Sequence, residues 1–72
     1  MAIREIEFKP SSNVARVQWD PDSMDLLVDF VHGGKGVYRS VPENEVNGLS
    51  QADSAGKYLN ANIKPLYAYE RR

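Results

Sequence analysis

Few side chains in this sequence combine the type and the spacing that catalysis requires. His32 is the only histidine, and there is no cysteine to act as a nucleophile or a metal ligand. The glycine-rich stretch 33–36 contains a lysine, but a phosphate-binding loop reads G-x-x-x-x-G-K-[ST] and leads into a helix. Asp20, Asp22 and Asp25 lack the spacing and the closing glutamate of a calcium loop. The sequence therefore predicts that the protein is not an enzyme and has no catalytic residue, cofactor or metal site.

Residues that suit binding are more numerous. Tyr38 and Arg39 are adjacent, and an aromatic ring can stack on a base while a cation contacts a phosphate. Further polar, basic and aromatic candidates lie close together near the C-terminus: Lys57, Tyr58, Asn60 and Lys64. We predict that these six residues form a nucleic-acid-binding surface, with RNA favoured over DNA. The alternative for Tyr38 is a packing role inside the protein.

The charge distribution limits the kind of partner. The formal net charge is −1, which argues against a strong non-specific DNA-binding protein. Residues 1–54 hold five basic and nine acidic side chains, whereas residues 55–72 hold four basic and one acidic. This basic C-terminal end either faces an anionic partner or is an ordinary solvated helix and tail.

The chain shows no sequence feature of membrane insertion or export. No apolar run approaches the roughly 18 residues that a membrane span requires. Residues 1–5 lack the basic-then-apolar pattern of a signal peptide. We therefore expect a cytoplasmic protein with no membrane partner.

Three segments carry strand patterns, at residues 14–19, 25–31 and 37–41. A proline-containing turn at residues 20–23 separates the first two segments, and the glycine-rich stretch separates the last two. Two hairpins in succession predict a three-stranded antiparallel meander. Residues 3–8 alternate in a way that indicates an extra strand. The apolar residues 66–69 indicate a tail that lies on the core or forms an edge strand.

Hairpin geometry predicts which side chains share a face. A first turn centred on residues 22–23 gives three apolar pairs: Trp19–Leu26, Val17–Val28 and Ala15–Phe30. A second turn centred on residues 34–35 keeps the same face and gives two pairs: Phe30–Arg39 and Val28–Val41. This register places Tyr38 on the opposite, less apolar face, where Arg16 forms a cross-strand ion pair with Asp29.

Two helices are predicted after the meander. Pro42 suits the first turn of the first helix, whose apolar stripe is Val46, Leu49 and Ala52. Asp53 or Ser54 can cap the second helix, and Pro65 ends it. The apolar seam of the second helix is Ala55, Leu59 and Ile63. Gly56 leaves the start of that helix open to the close approach of an anion or of another backbone.

These elements amount to one α+β domain over residues 1–72. A three-stranded antiparallel β-meander is followed by two C-terminal α-helices, which pack on the face formed by the paired apolar residues of the first hairpin. With 72 residues and no disulfide, the domain is near the lower size limit for independent folding.

Several short motifs resemble the KTSC domain family: Ser11-Ser12-Asn13, Asp20-Pro21, Gly36-Val37-Tyr38-Arg39, Val41-Pro42, and Ser54 to Asn60 followed by Ile63. The resemblance covers about residues 10–69, so residues 1–9 are an N-terminal extension or an extra strand. The family is named for its occurrence at the C-terminus of some lysyl-tRNA synthetases, and it includes stand-alone small bacterial and phage proteins. It has no established activity, and the synthetase context implies RNA binding.

One departure from the family pattern bears on the predicted surface. The family centre usually reads Tyr-x-Tyr, whereas this chain has Tyr38-Arg39-Ser40, so Ser40 removes one ring from any aromatic platform. The alternative function is a protein-interaction or self-association module, with a protein partner or a second copy of the chain. Its contact would be an edge strand or the tail that contains Tyr67 and Tyr69.

Overall fold

Five strands and two helices account for most of the chain, of which the structure, a computed structural model, describes residues 3–71. The strands are β1 (Arg4–Ile6), β2 (Val14–Asp20), β3 (Asp25–Phe30), β4 (Lys35–Tyr38) and β5 (Tyr69–Arg71). The helices are α1 (Glu43–Gln51) and α2 (Ala55–Tyr58), and α2 continues directly into a π-helical segment, Leu59–Ile63. No helix within residues 3–71 has the length and apolar character needed to cross a membrane.

The strands form one antiparallel sheet in the order of the sequence, β1-β2-β3-β4-β5. The α+β class is confirmed, but the prediction of three strands is wrong because one more strand is added at each edge. β1 lies within residues 3–8, where the sequence indicates an extra strand. β5 follows the helices and pairs with β4. Each edge strand is three residues long, which is too short for alternation alone to identify it.

The pairing of β2 with β3 follows the predicted register near the turn and departs from it at the far end. Two predicted pairs are confirmed: Trp19–Leu26 and Val17–Val28. Between Val14 and Arg16 the register shifts at a β-bulge, so that Val14 and not Ala15 lies opposite Phe30. Val14 is therefore buried, and Ala15 is exposed. The predicted pair Ala15–Phe30 is wrong because a bulge adds one residue to its strand.

The pairing of β3 with β4 differs from the predicted one. The predicted pairs Phe30–Arg39 and Val28–Val41 are wrong, and the observed pairs include Leu26–Tyr38, Leu27–Val37 and Val28–Gly36. The hairpin closes where the Phe30 N–H donates to the Gly34 carbonyl at 3.1 Å. Gly33 and Gly34 have φ angles of 93° and 89°, the left-handed conformation that ends a three-residue hairpin loop.

The turn lies earlier in the chain than predicted, and this moves Tyr38 to the other side of the sheet. The observed register is displaced from the predicted one by an odd number of residues, which exchanges the two faces of β4. Tyr38 therefore shares the face of Leu26 and Val28, not the face of Arg16.

One face of the sheet packs against the helices to form the core. The buried residues that the central strands contribute are Val14, Val17, Trp19, Leu26, Val28 and Tyr38. The predicted helix positions are confirmed for Val46 and Leu49 of α1 and for the seam of Ala55, Leu59 and Ile63. The Trp19 indole N–H donates to the Val41 carbonyl at 2.9 Å, so the polar atom of this large buried ring has a partner.

Ser54 is the residue that caps the second helix. Its Oγ accepts a hydrogen bond from the Lys57 N–H at 3.3 Å, whereas Asp53 is exposed and forms an ion pair with Lys9. The π-helical segment closes two residues before Pro65. The predicted end of this helix is therefore confirmed.

The bulge in β2 predicts opposite effects of one substitution at two neighbouring positions. Val14→Asp would place a carboxylate in the core and should lower the free energy of unfolding by about 3 kcal/mol or more. Ala15→Asp, on the exposed side, should cost less than about 1 kcal/mol. Urea denaturation of both variants measures the difference. Without the bulge, the order of the two variants would be reversed.

Candidate functional site

Tyr38 lies in the core and not on a binding surface. Its side chain is 3% exposed, and its ring centroid lies 4.9 Å from that of Tyr69. Burial raises the pKa of the Tyr38 phenol, and Tyr69 adds to the effect. The prediction that the Tyr38 ring is accessible to a base is wrong, because the register of β4 turns the ring towards the helices.

Arg39 is committed to two carboxylates of the same chain. Its guanidinium contacts Asp25 at 2.7 Å and Glu70 at 2.6 Å, so it connects β3 to β5 across the end of β4. Hydrogen bonding to Glu70 raises the pKa of the guanidinium. Both ion pairs are partly exposed, and their main effect is to place Arg39 and not to supply much free energy. A phosphate would have to compete with both carboxylates.

The other predicted binding residues lie on the second helix. Lys57, Asn60 and Lys64 are exposed, and within residues 3–71 neither lysine forms an ion pair. Lys57 and Tyr58 line one open groove of about 470 Å³, together with Ala52, Asp53, Ser54, Ala61 and Asn62. The structure thus brings part of the predicted set together on the second helix, whereas Tyr38 is buried in the core.

Tyr58 connects the two helices and is only half-buried. Its hydroxyl donates to Glu45 at 2.8 Å, and the hydroxyl of Tyr67 donates to the other oxygen of the same carboxylate at 3.3 Å. Burial, followed by the proximity of Glu45, raises the pKa of both phenols. Gly48 permits this arrangement, because a Cβ at that position would collide with the Tyr58 hydroxyl. The predicted tail therefore lies on the core as far as Tyr67.

The second face of the sheet is rich in charge and faces away from the helices. The register places five acidic side chains on it, Glu5, Asp20, Asp25, Asp29 and Glu70, against three basic ones, Arg16, Lys35 and Arg39. No group of three histidine or carboxylate side chains within residues 3–71 converges to hold a metal ion. The excess of negative charge on this second face of the sheet makes it a poor surface for binding nucleic acid.

Arg16 shows how the edge strand changes the predicted contacts on that face. Arg16 lies opposite Asp29, as predicted, but its guanidinium contacts both carboxylate oxygens of Glu5 on β1, with an ion-pair distance of 2.9 Å. The prediction of an Arg16–Asp29 ion pair is therefore wrong in its partner, because β1 supplies a closer carboxylate on the other side.

β5 offers a site made of backbone and not of side chains. The Arg39 N–H donates to the Ala68 carbonyl at 2.9 Å, in line with the β4–β5 register. Hydrogen-bonded pairs alternate along an antiparallel ladder, so Glu70 directs its N–H and C=O towards β4. Tyr69 and Arg71 direct theirs outward. β5 is the last strand of the sheet, so no neighbouring strand within residues 3–71 pairs with these outward groups.

Side-chain contacts hold this edge in place. The Tyr69 ring packs on Tyr38 and lies over Gly36, where any Cβ would collide with it. An aromatic ring that covers a strand glycine in this way replaces the packing that the glycine lacks. Together with the contact between Arg39 and Glu70, the ring fixes β5 against β4 from both faces. Arg71 is not among the predicted binding residues. The sequence feature that indicates a strand here is the alternation of Tyr67 and Tyr69 with Ala68 and Glu70.

Comparison with known proteins assigns the family. The family model for the KTSC domain matches residues 10–67. The chain belongs to the KTSC family. An uncharacterized protein from Stutzerimonas stutzeri strain A1501 is 37% identical over 62 residues, which cover 85% of this chain and 87% of that protein. The crystal structure of a KTSC domain protein from Yersinia pestis matches with a TM-score of 0.87 and 25% identity, and the match covers 99% of both chains.

Two of the motifs that carry the KTSC resemblance, residues 11–13 and the stretch that begins at Ser54, meet at the start of α2. Ser11 Oγ accepts hydrogen bonds from the N–H groups of Asn13 and Val14, each at 3.2 Å, which closes the loop before β2. A Cβ at Gly56 would come within 3.2 Å of the Asn13 amide nitrogen. The close approach at Gly56 is therefore made by side chains of this loop and not by an anion or another backbone, so these two motifs hold the loop against the helix.

The three tyrosines with raised pKa values predict a loss of stability at high pH. Tyr38, Tyr58 and Tyr67 hold their protons to a higher pH in the folded protein than in the unfolded chain, where the pKa is about 10. Their contribution to the free energy of unfolding should be constant below about pH 9 and fall above about pH 10.

Tyr38→Phe should reduce this fall, because it removes an ionisable group from the core and keeps the ring. Urea denaturation from about pH 8 to about pH 11 measures the dependence for the parent chain and the variant. Identical pH dependences would show that Tyr38 ionises as readily in the folded protein as in the unfolded chain.

Proposed function

We propose that this KTSC domain is a non-catalytic protein-interaction module that binds an extended segment along the outer edge of β5. The observation that supports the proposal is the outward orientation of the backbone groups of Tyr69 and Arg71 at the last strand of the sheet. An extended segment can add a strand at such an edge, with main-chain hydrogen bonds for affinity and side-chain contacts for specificity.

The anchoring of β5 makes this edge suitable for binding despite its length. The Tyr69 ring on Tyr38 and Gly36, and the guanidinium of Arg39 on Glu70, hold the strand before any ligand arrives. A ligand would therefore lose less free energy in ordering the edge than it would with a mobile segment. Tyr69 is also 47% exposed, which leaves part of an aromatic ring for contact with a side chain of the ligand.

Arg71→Pro tests the edge without removing a bond inside the sheet. The Arg71 N–H points outward, and proline is tolerated in an edge strand where the missing N–H faces solvent. Peptides selected from a displayed library of random 12-residue segments should bind the parent chain and lose about tenfold or more in affinity for Arg71→Pro. Arg71→Ala is the matched control, because it removes the side chain and retains the N–H.

The amide resonances of Tyr69 and Arg71 should shift when such a peptide is titrated into the labelled protein. Peptides that bind Arg71→Pro and the parent chain equally, or that shift only resonances of β1 or of the helices, would contradict the proposal.

A second candidate function is RNA binding by the second helix. It is supported by the exposure of Lys57, Asn60 and Lys64, by the groove that Lys57 shares with Tyr58, and by the resemblance to a domain found at the C-terminus of some lysyl-tRNA synthetases. Without Tyr38, and with Arg39 held by carboxylates, this surface consists of two lysines beside one partly accessible ring. It ranks below the edge of β5 for that reason.

Salt dependence tests this second candidate. Two phosphate contacts to single-stranded RNA should weaken binding about sevenfold between 50 and 200 mM salt, as measured by fluorescence titration of a short RNA. The Lys57→Ala/Lys64→Ala variant should lose that dependence, whereas Lys35→Ala, on the sheet face away from the helices, should retain it. The absence of binding at low salt, or an equal loss with Lys35→Ala, would remove RNA as a ligand.

A further inference from the structure

We infer that the extended segment bound at this edge is β5 of a second copy of the chain, paired antiparallel about a two-fold axis. The two five-stranded sheets would then join into one continuous sheet. This inference rests on the proposed edge-binding function and names its partner. A two-fold contact brings the same surface together twice, so the edge must be complementary to itself, and β5 meets that condition in its backbone and in its side chains.

The backbone of β5 favours one register. Full overlap of the strand with its copy places Tyr69 opposite Arg71 of the second copy, and Arg71 opposite Tyr69 of the second copy. The outward N–H and C=O groups of both residues then form hydrogen-bonded pairs at both ends of the overlap. A register centred on Tyr69 would instead need the Tyr67 N–H, which already donates to the Ile63 carbonyl at 3.0 Å.

The side chains on the helix side of the sheet are complementary in this register. Tyr69 and Arg71 lie on the same face of the sheet as Tyr38 and Gly36 of β4. The exposed part of each Tyr69 ring would face the guanidinium of Arg71 from the second copy, twice in the dimer. Arginine over an aromatic face is a favourable contact at partly exposed sites.

On the other side of the sheet, Glu70 would lie opposite Glu70 of the second copy. Like charges directly opposite each other destabilise a strand pair. Each Glu70 already contacts Arg39 of its own chain at 2.6 Å, so two guanidinium groups flank the two carboxylates and reduce the repulsion. The central pair therefore weakens the dimer without preventing it, which gives the inference a distinctive test.

The length of the overlap sets the strength of the contact. Three residues from each copy bury less surface than the roughly 1,200 Å² of a stable interface. We expect a weak, reversible dimer with a dissociation constant on the order of 1 mM. Sedimentation equilibrium and the concentration dependence of amide resonances, from about 50 μM to about 2 mM, cover this range.

Three variants distinguish edge pairing from other self-association. Arg71→Pro should abolish the concentration dependence, and Arg71→Ala, which retains the outward N–H, should weaken the dimer only a few-fold. Glu70→Gln removes the central repulsion, and the amide oxygen of the glutamine can still accept a hydrogen bond from Arg39 and so retain the anchor of β5, so the variant should tighten the dimer about two- to fivefold at low salt. In a sample that mixes labelled and unlabelled chains, intermolecular NOE contacts should connect Tyr69 with Arg71.

The outcomes separate this inference from the function on which it rests. A chain that stays monomeric at about 2 mM, while selected peptides still require the Arg71 N–H, would overturn self-pairing and keep the edge as a binding site. The absence of both a dimer and an edge-dependent peptide would overturn both. A dimer that survives Arg71→Pro, or that weakens in Glu70→Gln, would also overturn the β5 pairing.

Discussion

The loop between β3 and β4 sets the register on which the rest of the sheet depends. Gly33 and Gly34 adopt left-handed φ angles, which end the loop early and place Tyr38 opposite Leu26 on the helix side. Arg39 therefore points to the other side, where Asp25 and Glu70 lie. A shift of one residue would exchange the two, so that a guanidinium would enter the core and a phenol would face solvent. The position of β5 follows from the same register.

The elements that the sequence predicts correctly are those in which a single pattern admits one solution. The seam of Ala55, Leu59 and Ile63 has one helical interpretation, and the first hairpin, between its turn and the bulge, has apolar residues at alternate positions on both strands. β4 has no such pattern, because Val37 and Tyr38 are both apolar and both buried, on opposite faces. Any part of the glycine-rich stretch 33–36 could form the turn, so β4 fits both the predicted and the observed register. The left-handed conformation of Gly33 and Gly34 decides between the two registers.

The candidate site could be predicted less well than the fold, because it depends on contacts between residues far apart in the sequence and on the hydrogen-bond pattern of the sheet. Residue types alone do not indicate either of these. Arg39 contacts Glu70, which lies 31 residues further along the sequence. This contact pairs a cation that the sequence alone indicates to be available for a ligand. The outward backbone of Arg71 depends on which pairs of the β4–β5 ladder exchange hydrogen bonds. Lys57 and Lys64 are exposed as their spacing indicates, since solvated helix faces follow directly from periodicity.

The π-helical segment affects the direction in which the chain leaves the second helix towards β5. The Lys64 N–H reaches back to the Leu59 carbonyl at 2.7 Å, so this turn holds one residue more than an α-helical turn. A relative that lacked one residue here could keep the buried seam by reverting to α-helical geometry. Its chain would then leave the helix in another direction, and the contact between Tyr67 and Glu45 would change.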